Sequence, residues 1–144
     1  MVIQSELIHV KQVVKLPKKV VRIIAFSDFG SHSKPLFRKL AILPLEEINN
    51  VATAIFTYKF FNNMLPSTFD KFFQLDKELH EYNTRGSKKI HMKHGRTNYK
   101  KYTTRNKGCH VWNKLPIEIL QSKTFQIFKN KLKKYYLNTM DVEI

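Results

Sequence analysis

The chain has 144 residues and a mass of 17.1 kDa, room for one domain with or without a tail, and too little for a kinase or for a polymerase with palm, fingers and thumb. Lys and Arg number 26 against 11 Asp and Glu, a net charge of +15, and such a field works against compaction and is uncommon in enzymes of neutral metabolites. A polyanionic partner is expected, nucleic acid ahead of an anionic membrane surface, while 42% hydrophobic and 12% aromatic residues, including 11 Phe, require a folded core beside the basic surface.

In chain order, Lys18–Phe26 reads as an amphipathic helix, with Val20, Val21, Ile23, Ile24 and Phe26 among Lys18, Lys19 and Arg22. Gly30 and Pro35 follow as breakers, and Pro35 opens a short turn over Leu36–Leu40. Pro44 to Asn63 carries the strongest helical pattern. Pro44 suits a first helical position, and Glu46 and Glu47 lie where the helix dipole favours anions. Leu45, Ile48, Val51, Ala52, Ile55, Phe56 and Lys59 step along one face, and Tyr58, Phe60 and Phe61 widen it. Asn62, Asn63 and Pro66 end the helix, and Ser67 or Thr68 caps a short helix through Phe69, Phe72 and Phe73. The stretch Tyr82–Lys107 lacks a helical period and reads as loop with short strands, Lys89–Lys93 against Lys101–Arg105. Val111, Trp112 and Leu115 then form an apolar cluster closed by Pro116. A last helix, capped by Ser122 or Thr124, has Phe125, Phe128, Leu132, Tyr135 and Tyr136 on one side and Lys129, Lys131, Lys133 and Lys134 mostly on the other. The expected fold class is mainly α: a small helical assembly with a basic extended segment or short β-hairpin, divided into 1–81, 82–107 and 108–144.

The charge is concentrated. Glu81 and Glu118 are successive acids, and between them stand Arg85, Lys88, Lys89, Lys93, Arg96, Lys100, Lys101, Arg105, Lys107 and Lys114. Lysine and arginine neutralise phosphates and release counterions, and Tyr82, Tyr99 and Tyr102 offer rings for unpaired bases. The residues assigned to nucleic-acid contact are therefore Arg85, Lys88, Lys89, Lys93, Arg96, Tyr99, Lys100, Lys101, Tyr102, Arg105 and Lys107. A bare solvated loop and an anionic bilayer are the competing readings, and the window has no amphipathic helix to insert into lipid.

Other chemistry finds less support. None of the four Gly falls in a GxGxxG or GxxxxGK pattern. The acids are dispersed, and adjacent Glu46 and Glu47 point in different directions on a helix, so no two-metal site is expected. His91 and His94, with Cys109 and His110 downstream, are zinc-type ligands, but they sit among lysines and without a CxxC. Trp112, between Val111 and Leu115, reads as core. A single Cys excludes an internal disulfide and fits a reducing, intracellular compartment. No apolar run approaches the ~20 residues of a membrane span, and Glu6, His9 and Lys11 interrupt any signal-peptide core. No cofactor and no membrane partner is expected.

Several segments occur in a known order. Val21-Arg22-Ile23-Ile24 and Lys34-Pro35-Leu36-Phe37 through Leu40–Leu43 come first. Arg96-Thr-Asn-Tyr99 leads to Gly108-Cys-His-Val-Trp-Asn113 with Leu115-Pro116, and Phe128-Lys129-Asn-Lys-Leu132-Lys133 follows. Over about residues 18–137 this resembles the region after the polymerase domain in jockey-like non-LTR retrotransposon reverse transcriptases. There an RII helix, a P-L-F-x-x-L-x-I-L element, an RTxYG-like element, a G-x-x-hydrophobic-W-N-x-L-P signature and an F-K-x-x-L-K helix occur in that order. Lys100 stands where that family often has Gly. The family's Y-x-D-D element is not in this sequence, nor is an endonuclease domain. The resemblance implies thumb-like helices and a post-polymerase tail, a non-catalytic fragment that grips an RNA or DNA backbone with little sequence preference. It also implies an apolar helix face left uncovered, a surface for a protein partner.

Overall fold

The computed structural model describes residues 13, 15–79, 89–92 and 103–140, and the architecture is mainly α. Residues 15–24 are helical (α1). There follow α2 (Ser33–Lys39), α3 (Leu45–Phe61), a 3-10 turn (Ser67–Phe69), α4 (Asp76–Leu79), α5 (Thr104–Lys114), α6 (Ile117–Leu120) and α7 (Phe125–Thr139). Among the described residues the extended structure is an isolated antiparallel bridge between Leu75 and Ile90.

Three helices end on a left-handed residue: Phe26, Ala41 and Asn63, with φ of 50°, 52° and 53°. After α3 the Met64 N–H reaches back to the Lys59 carbonyl at 2.9 Å and Asn63 N–H to Phe60 at 3.2 Å, the paired bonds that close a helix C-terminus. Asn63 tolerates this conformation better than most residues, so Asn62-Asn63 is a stop signal with a physical basis.

The chain forms two compact units, residues 1–49 with 133–144, and residues 50–132. In the first, Val21, Phe37 and Leu43 are buried, and the Arg22 Nε donates to the Ser31 carbonyl at 2.8 Å, tying α1 to the loop that follows it. The apolar face expected of Lys18–Phe26 is mostly left in solvent: of its five large apolar residues Val21 is buried, and Val20, Ile23, Ile24 and Phe26 are exposed.

The second unit holds a denser aromatic core. Phe128 and Leu132 of α7 and Ala54 of α3 have no exposed surface, and Tyr58 has almost none. Tyr58 stacks on Phe128 with centroids 4.2 Å apart, and its hydroxyl donates to the Ser122 carbonyl at 3.2 Å. Trp112 is buried, its ring 5.2 Å from Phe61 and 6.1 Å from Phe128. Phe56 meets Phe69, Phe72 and Phe73 edge-on, geometries that add to area burial.

The buried stripe of α3 differs from the expected one. Tyr58 is buried as expected, but so are Thr53, Ala54 and Thr57, whereas Leu45, Ile48 and Ala52 are exposed. The Thr57 hydroxyl donates to the Thr53 carbonyl at 3.0 Å and is thereby satisfied inside the core. Small side chains let another helix approach. A Cβ on Gly108 of α5 would come within 2.6 Å of Phe73 Cζ and 3.2 Å of Thr57 Oγ1.

Candidate nucleic-acid interface

Of the assigned residues, Arg85, Lys88, Lys93, Arg96, Tyr99, Lys100, Lys101 and Tyr102 lie outside the described residues. Lys89, Arg105 and Lys107 lie within them, together with the groups that hold the described ends of the basic window.

The first hold is at residues 89–92. His91 N–H donates to the Gln74 carbonyl at 2.7 Å and Asp76 N–H to the Lys89 carbonyl at 2.9 Å. These bonds flank the Leu75–Ile90 bridge, and in an antiparallel pair of that kind the central residue's own N–H and C=O point away from its partner. Buried backbone groups need partners. Asn113 on α5 supplies both: Ile90 N–H donates to Asn113 Oδ1 at 2.9 Å, and Asn113 Nδ2 donates to the Ile90 carbonyl at 2.9 Å. One side-chain amide thus takes the place of a second strand, and the Ile90 side chain beside it is 1% exposed. His91 Nδ1 lies 2.9 Å from Asp76 Oδ1, and the Cys109 thiol donates to the His91 carbonyl at 3.6 Å.

The second hold is the start of α5. Thr103 is its N-cap, its hydroxyl accepting from Asn106 N–H at 3.5 Å. The expected hairpin is corrected here. Its second arm, Lys101–Arg105, runs into helix from Thr104 onward, because Thr103 caps and the following residues carry the packing face Gly108, Cys109, Val111 and Trp112. Its first arm pairs instead through Ile90 with Leu75.

The described cations differ in availability. Lys89 is exposed. Lys107 is half-buried. Arg105 is half-buried, donates through Nη2 to the Lys71 carbonyl at 3.1 Å, and lies 5.8 Å from the Phe72 ring centroid, so part of its capacity serves the fold. Burial pushes the Cys109 thiol up, against the lowering effect of the Arg105 charge.

A cavity of about 290 Å³ in this unit is walled by Phe60, Phe61, Phe69 and Phe73 and is also lined by Asp70 and Glu78. The two carboxylates repel phosphate, so this hollow does not suit a polyanion. Among the described residues no three His, Cys, Asp or Glu side chains are grouped to hold a metal ion, and no helix is long and apolar enough to cross a membrane.

Asn113 was not assigned a role from the sequence, yet it is the residue that fixes Ile90. Its signal was its place in the Gly108–Pro116 element, where every landmark is structural. Gly108 permits close approach, Cys109 and Asn113 hold residues 90 and 91, Trp112 and Leu115 are core, and Pro116 is the N-cap of α6. No protein-family model, no curated protein and no solved structure matches the chain.

Proposed function

We propose that the chain binds the sugar-phosphate backbone of RNA or DNA through its basic window. In this reading it is a non-catalytic piece of a retrotransposon reverse transcriptase, from the region after the polymerase domain. The observation that carries the proposal is the charge distribution: ten Lys and Arg and no acid over residues 82–117 of a chain with net charge +15. The holds at Ile90 and Thr103 support it, because cations flanked by fixed backbone lose less entropy on meeting a phosphate chain. The order of the Arg22-Ile23-Ile24, Trp112-Asn113 and Phe128–Lys133 elements supports the reverse-transcriptase origin.

A filter-binding titration against salt tests the proposal. Affinity for a single-stranded RNA and for duplex DNA should fall by roughly 0.7–0.9 log units per log unit of salt for each phosphate neutralised. Joint charge reversal at Lys88, Lys89, Arg96, Lys100 and Lys101 should flatten that slope by several units. Unchanged binding after the reversal would sink the proposal.

A further inference from the structure

Helix α1 presents a flank to solvent that is apolar and unused by the described fold. At 3.6 residues per turn, Leu16, Val20, Ile23 and Ile24 share an arc of about 100°, and they are 58%, 49%, 73% and 49% exposed. Val21, the residue this helix buries, lies about 60° past the Ile24 edge of that arc. Lys15, Lys18, Lys19 and Arg22 occupy the opposite edge, and residues 15–24 contain no acid. Beyond the helix end, Phe26 and Phe29 are 98% and 78% exposed. Phe26 is left-handed, with φ of 50°, because it closes α1 as Asn63 closes α3: Ser27 N–H donates to the Arg22 carbonyl at 3.0 Å and Phe26 N–H to the Ile23 carbonyl at 3.1 Å. Its ring is left in solvent by that turn.

We propose that this flank docks an acidic amphipathic helix of a protein partner. Its apolar side chains lie over the stripe and Phe26, and its Asp or Glu row lies against Lys15, Lys18 and Lys19. Charge complementarity selects this occupant. A second copy related by a two-fold across the helices would set basic edge against basic edge, and one related by a two-fold along them would set the basic row against the Pro17 and Val21 edge; neither supplies an acid to answer it. A bilayer would favour cations along both edges of the stripe. Here they line one edge only, while Pro17 and Val21 on the other are half-buried and buried. A one-sided basic row beside an apolar stripe fits a helix laid alongside, as charged edge positions do in paired helices. The inference is independent of the nucleic-acid proposal, because residues 15–29 lie outside the basic window.

The test is fluorescence anisotropy on the full chain with a labelled synthetic helical peptide carrying Leu on one face and Glu along its edges. Two control peptides replace Leu with Ser or Glu with Lys. Saturable binding is expected to the Leu/Glu peptide and to be about tenfold or more weaker for either control, the loss equivalent to one apolar side chain. Phe26→Gly and Ile23→Gln should weaken it to the same degree. Both sites are exposed, and Gly suits the left-handed backbone at 26, so urea midpoints should hold or rise. Equal binding of the Ser-for-Leu peptide, or unaltered binding by both variants, overturns the proposal. So does stripe-dependent uptake by phosphatidylserine vesicles, or stripe-dependent dimerisation in sedimentation, without peptide binding.

Discussion

Replacing Asn113 with Ala removes both partners of the Ile90 backbone at once. The two bonds are 2.9 Å each. Each is worth about 1 kcal/mol net, and a buried group left without a partner loses a further 1–3 kcal/mol or so. Ile90 is 1% exposed but Asn113 is half-buried, so water that takes the place of the amide offsets part of this loss. An overall loss of about 2–4 kcal/mol is expected, a large share of the ~5–15 kcal/mol that holds a typical domain. Urea denaturation at constant m measures it, and amide exchange at residues 89–92 shows whether the loss is local. Asn113→Asp sharpens the test. One carboxylate oxygen still accepts from Ile90 N–H, but the other faces the Ile90 carbonyl and repels it. Protonation restores a donor there, so the deficit of Asn113→Asp relative to the parent should shrink as pH falls through the carboxylate range near 4. The reasoning is refuted if Asn113→Ala costs less than about 0.5 kcal/mol and leaves the Ile90 and His91 amides as protected as before.

Phe128→Ala, at a side chain with no exposed surface stacked on Tyr58, should cost about 3–5 kcal/mol by urea denaturation. Arg105→Gln should cost about 1–2 kcal/mol through the Lys71 carbonyl and the Phe72 ring, yet change the salt slope of RNA binding by less than about one unit. The Cys109 thiol, pushed up by burial, should react with iodoacetamide at pH 7 only as fast as the protein opens; labelling at the rate of a free thiol would contradict this. Burial, then the charge of Glu47, then Tyr135 push the Tyr136 phenol up to about 12 from 10. Its neutral form is therefore favoured by folding. That contribution is complete below about pH 10 and is lost as pH rises toward 12, so urea midpoints of Tyr136→Phe should fall less steeply than the parent's over that window.

The helices with one clear polar side were legible in the sequence. The spacing of Phe125, Phe128 and Leu132 against Lys129, Lys131, Lys133 and Lys134 placed α7 correctly, since long charged side chains cannot share a dry interior. Apolar periodicity misled on α3 and α1 for two different reasons. In α3 the buried face includes Thr53, Ala54 and Thr57, and at Thr57 the close approach of Gly108 leaves room only for a small side chain. A hydropathy count scores those threonines as surface, although an intrahelical bond satisfies Thr57. In α1 the apolar stripe was real, but nothing in the described fold covers it, and periodicity alone does not distinguish a core face from a docking face. The Ile90 hold was hidden because it joins residues 23 apart through an Asn amide, a link that leaves no period.

The site separates into two classes of residue, and the separation has a consequence. The groups that hold the described parts of the basic window, residues 89–92 and the start of α5, are neutral or internally paired: Asn113, Thr103, Gly108, and His91 with Asp76. The groups proposed to meet phosphate are the cations around them. Counterion release depends on how many phosphates are neutralised and not on how firmly the window is held, whereas the entropy lost on binding depends on the hold. Loosening the hold by Asn113→Ala should therefore lower RNA affinity by a similar factor at every salt concentration. Reversing Lys100 and Lys101 should instead change the salt slope and leave the urea midpoint close to the parent's. Plots of log affinity against log salt would be parallel in the first case and convergent in the second. Convergent plots for Asn113→Ala would mean that its amide does more than hold Ile90 in place.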